Sequence, residues 1–140
     1  MKQTRWRLLL LAALAVAACG GGNVFGLEVG TCFDDVEGTE VTDVPIVDCS
    51  DPHDNEVFSV FDYTASDVYP GSETMRETAQ ELCIADFDTF VGMAYLESAL
   101  DVFAITPSDS SWDDGDREVV CALYNVDLSK LTGSMEGAAR

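Results

Sequence analysis

Residues Thr74 to Val91 read TMRETAQELCIADFDTFV. The apolar side chains of this segment recur every three or four residues, which is the spacing of one helical face; they are Met75, Ala79, Leu82, Cys83, Phe87 and Phe90. The pattern predicts the one long helix of the chain, with this face buried in the core. Thr74 and Glu77 match a capping box at its start, and Gly92 is placed to supply a left-handed residue at its end.

Four segments around this helix are rich in β-branched and aromatic residues and are predicted to be strands. They are 41–47, 57–63, 100–106 and 118–126. In the last segment both faces are apolar, which is typical of a central strand, whereas Pro45 cannot donate to a ladder and indicates an edge or a bulge. The order strand, strand, helix, strand, strand predicts an α+β fold, a small antiparallel sheet with one main helix packed on it.

The N-terminus has the pattern of an export signal. Lys2, Arg5 and Arg7 precede the apolar run 8–18, LLLLAALAVAA. This run is too short to cross a bilayer, which takes roughly 20 apolar residues, but it has the length of a signal-peptide core.

The end of this run, Val16-Ala17-Ala18-Cys19, resembles a bacterial lipobox. The resemblance implies that Cys19 becomes the first mature residue and that its thiol carries a diacylglycerol; the alternative is an ordinary secretory peptide that contains a cysteine. We therefore expect a lipoprotein signal peptide at 1–18, a lipidated flexible tether at 19–26 and one domain at 27–140. The protein would then be lipid-anchored at the extracytoplasmic face of the cell membrane.

Four cysteines remain besides Cys19. In an exported chain, four cysteines are most simply two disulfides. Three pairings are possible, and sequence alone does not select among them. The favoured pairs join the inner face of the helix to the central strand and close the loop around the first strand; they are Cys83 with Cys121 and Cys32 with Cys49.

Charge and motif content exclude several functions. The chain has 26 acidic and 7 basic side chains and a net charge of -19, which argues against nucleic-acid binding because that needs cations to displace counterions from phosphates. No G-x-S-x-G elbow is present, and a single histidine, His53, with no C-x-x-C pair gives zinc little support. We expect no enzymatic activity, no cofactor and no resident metal.

One loop offers hard oxygen ligands for calcium; its carboxylates are Asp109, Asp113, Asp114, Asp116 and Glu118. The register does not fit an EF-hand. If Gly115 took the invariant glycine position, the twelfth position, where glutamate belongs, would be Cys121. Weak cation binding is the alternative to a solvated turn in which a carboxylate pairs with Arg117.

Two patterns in combination resemble the septum formation family of actinobacterial envelope proteins. They are C-x-x-P-H-x-x-E-V, which starts at Cys49, and W-x-x-G-D-R-x-V-x-C, which ends at Cys121. The resemblance runs from about residue 27 to residue 137. It implies a membrane-attached extracytoplasmic domain with a role near cell division and brings no catalytic residue set.

The resemblance also implies that four polar or aromatic residues belong to the family pattern, and these are the candidate binding residues: His53, Glu56, Trp112 and Arg117. We expect a non-enzymatic interaction or scaffold lipoprotein with an envelope or division protein as partner. The alternative is a small-ligand or cation-binding lipoprotein that uses the loops carrying these residues.

Overall fold

The computed structural model describes residues 21–23, 26–36 and 43–140. The predicted signal peptide and Cys19 lie outside these residues. Within the described part of the chain, no helix combines the length and apolar character needed to cross a bilayer.

The described residues form an antiparallel sheet. Its strands are β1 (Gly21–Asn23), β2 (Cys32–Phe33), β3 (Asp43–Val47), β4 (Asn55–Asp62), β5 (Leu100–Ile105) and β6 (Glu118–Asn125). The order across the sheet is β1-β3-β2-β4-β6-β5, and every neighbouring pair is antiparallel. With one main helix packed on this sheet, the predicted α+β class is confirmed.

The main helix, α1 (Ser72–Val91), buries one residue per turn, and this stripe consists of Met75, Ala79, Cys83, Phe87 and Val91. Leu82 was predicted on the buried face, but it is 42% exposed because it lies beside the stripe. Gly92 ends the helix in the left-handed conformation, as predicted, with φ 79°.

The predicted capping box at the start of α1 is wrong. The N-cap is Gly71, three residues before Thr74, which was expected to cap the helix, and no side chain caps it. Since Thr74 and Glu77 both lie inside the first turns, their side chains are not placed to pair around an N-cap.

The sheet has an apolar layer on each face. β6 supplies both, since Val119, Cys121 and Leu123 pack on the α1 side while Val120 and Ala122 pack on the other. β6 lies between β4 and β5, so the prediction of a central strand is confirmed. Pro45 lies in β3, whose outer side is paired only with the three residues of β1.

Both favoured disulfides are present. Cys83–Cys121 joins α1 to β6 with a Cα–Cα distance of 5.5 Å. Cys32–Cys49 joins β2 to the turn after β3 with a Cα–Cα distance of 5.3 Å. The predicted two-disulfide framework is therefore confirmed, with one bridge in each half of the sheet.

Several short elements were not predicted. β2 has only two residues, a 3-10 turn spans Tyr95–Glu97, and α2 (Asp109–Asp113) lies in the loop before β6, where the Ser108 hydroxyl caps it. The predicted tether at 19–26 is also partly ordered, because its residues 21–23 form β1.

The C-terminal segment, residues 131–140, has no helix or strand of its own but belongs to the core. Leu131 and Met135 are buried against α1 and the sheet. The backbone amides of Gly137 and Ala139 donate to carbonyls of Phe90 and Val91 at the end of α1. This segment therefore closes one side of the helix–sheet interface.

Candidate functional site

His53 lies directly before β4 and is fully buried. Its backbone pairs with Leu131 through hydrogen bonds of 3.0 and 2.7 Å. Its Nδ1 lies 2.8 Å from the carbonyl oxygen of Asp51, so Nδ1–H donates to that carbonyl. Among the described residues no group partners the buried Nε2. A ring enclosed in this way is not placed to exchange protons with a substrate.

Glu56, in β4, is also fully buried. Its carboxylate accepts hydrogen bonds from the Ser134 hydroxyl at 2.5 Å and from the Met135 amide at 2.6 Å. Charge-assisted hydrogen bonds of this kind are stronger than neutral ones. Glu56 therefore fastens the C-terminal segment to the sheet.

Trp112 and Arg117 form a second cluster. The Arg117 guanidinium carbon lies 3.5 Å from the centroid of the Trp112 ring, and Nη1 donates to the carbonyls of Trp112 and Asp116 at 2.9 and 2.6 Å. The Trp112 ring packs on Tyr63 and Tyr69. Arg117 thus fixes the loop between α2 and β6. Among the described residues, the ion pair between Arg117 and a carboxylate, which the sequence had left open, is not formed.

The two clusters lie at opposite ends of β4. Glu56 pairs with Leu123 near one end of β6, whereas Asp62 pairs with Glu118 at the other. Six residues of strand at about 3.3 Å each separate these pairs by roughly 20 Å. The structure therefore places His53 and Glu56 at one end of β4 and Trp112 against Arg117 at the other, and it does not join the four into one site.

The acidic loop does not assemble a ligand shell. Within residues 107–118, all of which are described, no three acidic side chains have oxygen atoms within 4.8 Å of one another. Asp109, Asp113 and Asp114 are exposed. Burial, with the charges of Asp116 and Asp62, raises the pKa of Glu118.

A different group, Cys32, Cys49 and Glu56, does bring its potential ligand atoms within 4.8 Å of one another. Its two sulfur atoms are bonded to each other, so they are not thiolates and do not offer the donor that a soft metal requires. The chemistry of the group is that of a disulfide beside a buried carboxylate.

A hydrogen-bonded trio that sequence reasoning missed lies at the β5–β6 end of the sheet. Asp101 accepts hydrogen bonds from the hydroxyls of Tyr95 and Tyr124, at 2.5 and 3.1 Å. The hydrogen bond to Asp101, with burial, raises the pKa of Tyr95 to about 12. The trio stabilises the 3-10 turn against the sheet.

A groove of about 330 Å³ lies between β4, α1 and the C-terminal segment; its lining residues are Phe58, Ser59, Asp86, Thr89, Phe90 and Glu136. A β-bulge between Val57 and Ser59 shapes it, because the extra residue turns Ser59 toward α1, where its hydroxyl donates to Asp86 at 2.6 Å. No motif marked this groove, since its walls come from three segments far apart in sequence.

The floor of the groove is aromatic and its rim is acidic. The rings of Phe58 and Phe90 lie 6.2 Å apart between centroids. Asp86 and Glu136 are exposed at the rim, and among the described residues no cation lines the groove. Such a surface suits a side chain with an apolar stem and a positive end.

Taken together, fold and sites define a small disulfide-bonded α+β domain whose buried polar residues serve its own architecture and whose accessible groove is acidic. A family model described as septum formation matches residues 28–140, and the chain belongs to this family. Membership indicates a role related to cell division. No curated protein and no solved structure matches the chain.

Proposed function

We propose that this protein is a non-enzymatic, lipid-anchored interaction module of the cell envelope, which binds a basic segment of a division or wall-synthesis protein in the groove between β4, α1 and the C-terminal segment. The observation that carries the proposal is the chemistry of the groove. Two phenylalanine rings form its floor and two carboxylates, Asp86 and Glu136, form its rim.

A lysine or arginine side chain fits this arrangement. Its methylene stem packs on the rings of Phe58 and Phe90, and its charge reaches the rim carboxylates. Charge on the whole chain acts in the same direction, because 26 acidic side chains steer cationic partners toward it. Basic segments are therefore favoured over acidic or neutral ones.

The proposal of a non-enzymatic function is supported by the positions of the side chains that could act as acids or bases, because they are buried or engaged within the fold. His53 and Glu56 are enclosed and hydrogen-bonded within the fold, and Arg117 covers Trp112. None of these four residues lines the groove. A general acid or base must instead reach the substrate proton within hydrogen-bonding distance.

Two features support a location outside the cytoplasm. The sequence Val16-Ala17-Ala18-Cys19 resembles a lipobox, and the domain carries two disulfides, which persist in oxidising compartments. A diacylglycerol would supply the two acyl chains that stable membrane anchoring needs.

The test is photo-crosslinking in intact cells from a reactive side chain placed at Thr89, inside the groove. We expect a crosslinked envelope protein whose attached peptide contains lysine or arginine. The double variant Asp86→Lys with Glu136→Lys should reduce the product by about tenfold, since like charges then meet at the interface.

The matched control is Glu77→Lys with Glu81→Lys, which makes the same change in net charge on exposed α1 residues outside the groove. It should leave the crosslink unchanged. Equal yields from both double variants, or a crosslinked peptide without basic residues, would contradict the proposal. The melting temperature of each variant separates loss of binding from loss of folding.

A small cationic ligand in the same groove is the second candidate, because about 330 Å³ lies in the size range of small-molecule sites. Thermal shifts with calcium and with wall fragments distinguish it. A shift that disappears in Asp86→Asn would favour the ligand, whereas a calcium shift that disappears in Asp114→Ala would move the site to the acidic loop.

A further inference from the structure

We propose that one end of the sheet rests on the lipid bilayer through three exposed apolar side chains, Leu96, Val126 and Leu128. This inference rests on the lipid anchor of the proposed function and goes beyond it by fixing which surface faces the membrane. The contact is apolar and uses side chains that make no contribution to the core.

All three side chains are largely exposed to solvent. Leu96 is 93% exposed, Leu128 79% and Val126 60%. Placing a large apolar side chain in water is unfavourable, and a group of them at one place marks a surface that is covered in use.

The three lie at the same end of the molecule. Leu96 is in the 3-10 turn that leads into β5, and Val126 and Leu128 directly follow β6. The first residue of β5, Leu100, pairs with the last of β6, Asn125, and the Val126 amide donates to the Ala99 carbonyl at 3.1 Å. The turns that carry the three side chains therefore lie together at the end of the sheet where β5 begins and β6 ends.

The anchor reaches this same end. Gly21 in β1 pairs with Pro45, whose carbonyl accepts from the Asp34 amide. Asp34 in turn binds the Lys130 ammonium at 2.6 Å, two residues beyond Leu128. By the strand register, Gly21, Pro45 and Asp34 are level with the end of β6 at Asn125. Gly21 therefore lies at the same end of the sheet as the apolar side chains, at the edge opposite β5.

The segment between Cys19 and Gly21 is short, so the lipid on Cys19 would hold β1 close to the bilayer. Cys19 precedes Gly21 by two residues, which span at most about 7 Å. With acyl chains on Cys19, this end of the sheet is held at the membrane surface, while the end that carries Trp112 points away from it.

Charge does not drive this contact. Lys130 is shared between Asp34 and Asp54, at 2.6 and 2.9 Å, and the Arg140 guanidinium donates to Asn125. Since the cations at this end are engaged internally, anionic lipid is not required, and the contact should respond little to salt.

The test uses the native lipidated protein reconstituted in phosphatidylcholine vesicles, with tryptophan as a depth probe. Leu96→Trp and Leu128→Trp report on the proposed surface. Val68→Trp is the matched control, because Val68 is 74% exposed in the loop where its neighbour Tyr69 packs on Trp112, at the opposite end. Trp112, which is 5% exposed, is present in all three variants and contributes the same background emission to each.

Replacing the lipid with one brominated in its acyl chains should lower the emission of both surface probes by about twofold or more, and leave the control unchanged. Equal emission from all three variants would overturn the proposed surface, and so would quenching that occurs only when anionic lipid is present.

Mass spectrometry of the same samples separates this failure from failure of the anchor. A diacylglycerol on Cys19 together with unquenched surface probes overturns only the surface. An unmodified Cys19 overturns the anchor, and the proposed surface with it. Because the replaced side chains are exposed, the variants should keep the parent melting temperature, which is measured alongside.

Discussion

Glu56 shows how a family-pattern residue can be structural. It is fully buried in β4, and its carboxylate holds both the Ser134 hydroxyl and the Met135 amide. Through these bonds one side chain positions the C-terminal segment, which also forms one wall of the groove through Glu136.

Glu56→Ala should therefore lower the free energy of unfolding by about 2–4 kcal/mol, since it leaves a buried amide without an acceptor and opens a cavity. Urea denaturation measures the change. The control Glu81→Ala, on the exposed face of α1, should stay within about 0.5 kcal/mol. Equal effects of the two substitutions would mean that the C-terminal segment does not depend on Glu56.

Glu118 is a residue whose charge opposes folding. It pairs directly with Asp62 across β4 and β6, and burial together with the charges of Asp116 and Asp62 raises its pKa. The folded protein therefore binds this proton more tightly than the unfolded chain. The penalty is present when Glu118 is ionised, decreases as the pH falls through the raised pKa, and is absent below the ordinary glutamate pKa.

Glu118→Gln should raise the free energy of unfolding at pH 7 by about 0.2–1 kcal/mol, the range for relieving a like-charge cross-strand pair. Relative to the parent, the gain should vanish near pH 4. Urea titrations at both pH values measure it, with Glu81→Gln as the neutralisation control. A gain that is equal at both pH values would exclude a titration effect.

At the scale of elements, the two disulfides stabilise different parts of the fold to different extents. Cys83–Cys121 closes a separation of 38 residues and Cys32–Cys49 one of 17. The longer loop loses more entropy in the unfolded chain when it is closed. The first bridge also lies wholly within the core, where Cys83 and Cys121 are fully buried.

Replacing Cys83 and Cys121 together by alanine should cost about 4 kcal/mol, and replacing Cys32 and Cys49 about 3 kcal/mol, on the chain-entropy model. Urea unfolding of the two double variants compares them directly. A larger cost for the Cys32–Cys49 pair would show that loop length does not set the order of their contributions.

The elements that were predicted from sequence are those with long periodic patterns. The elements predicted were α1, β3, β4, β5 and β6, and each has enough β-branched, aromatic or regularly spaced apolar residues to be recognised from sequence. β2 has two residues, a single period of a strand, and α2 has five, fewer than two helical turns. β2 forms by pairing with β3 and β4, which local sequence does not indicate. The capping box of α2, Ser108 with Ser111, is local, but so short a helix has too few residues for a periodic pattern to mark it.

The site was predicted less completely for a related reason. Sequence patterns marked His53, Glu56, Trp112 and Arg117 as special, but spacing within a motif does not give the distance between motifs. β4 places the two pairs at opposite ends. The groove was missed because a bulge and two distant segments create it.

At the scale of the whole molecule, the apolar surface and the acidic surface lie on different parts of the domain. One end carries Leu96, Val126 and Leu128 beside β5 and β6, and the groove beside α1 carries Asp86 and Glu136. In the proposed arrangement, a domain held by its apolar end would present an acidic groove to proteins that share the membrane surface. This arrangement suits a division-related family and depends on the anchor at Cys19.

The most direct test of this account is the intact mass of the protein extracted in detergent from its native membranes. We predict a chain that begins at Cys19 with a diacylglycerol attached, whose other four cysteines react with an alkylating agent only after reduction. A mature chain that begins elsewhere, or four thiols that react before reduction, would contradict it.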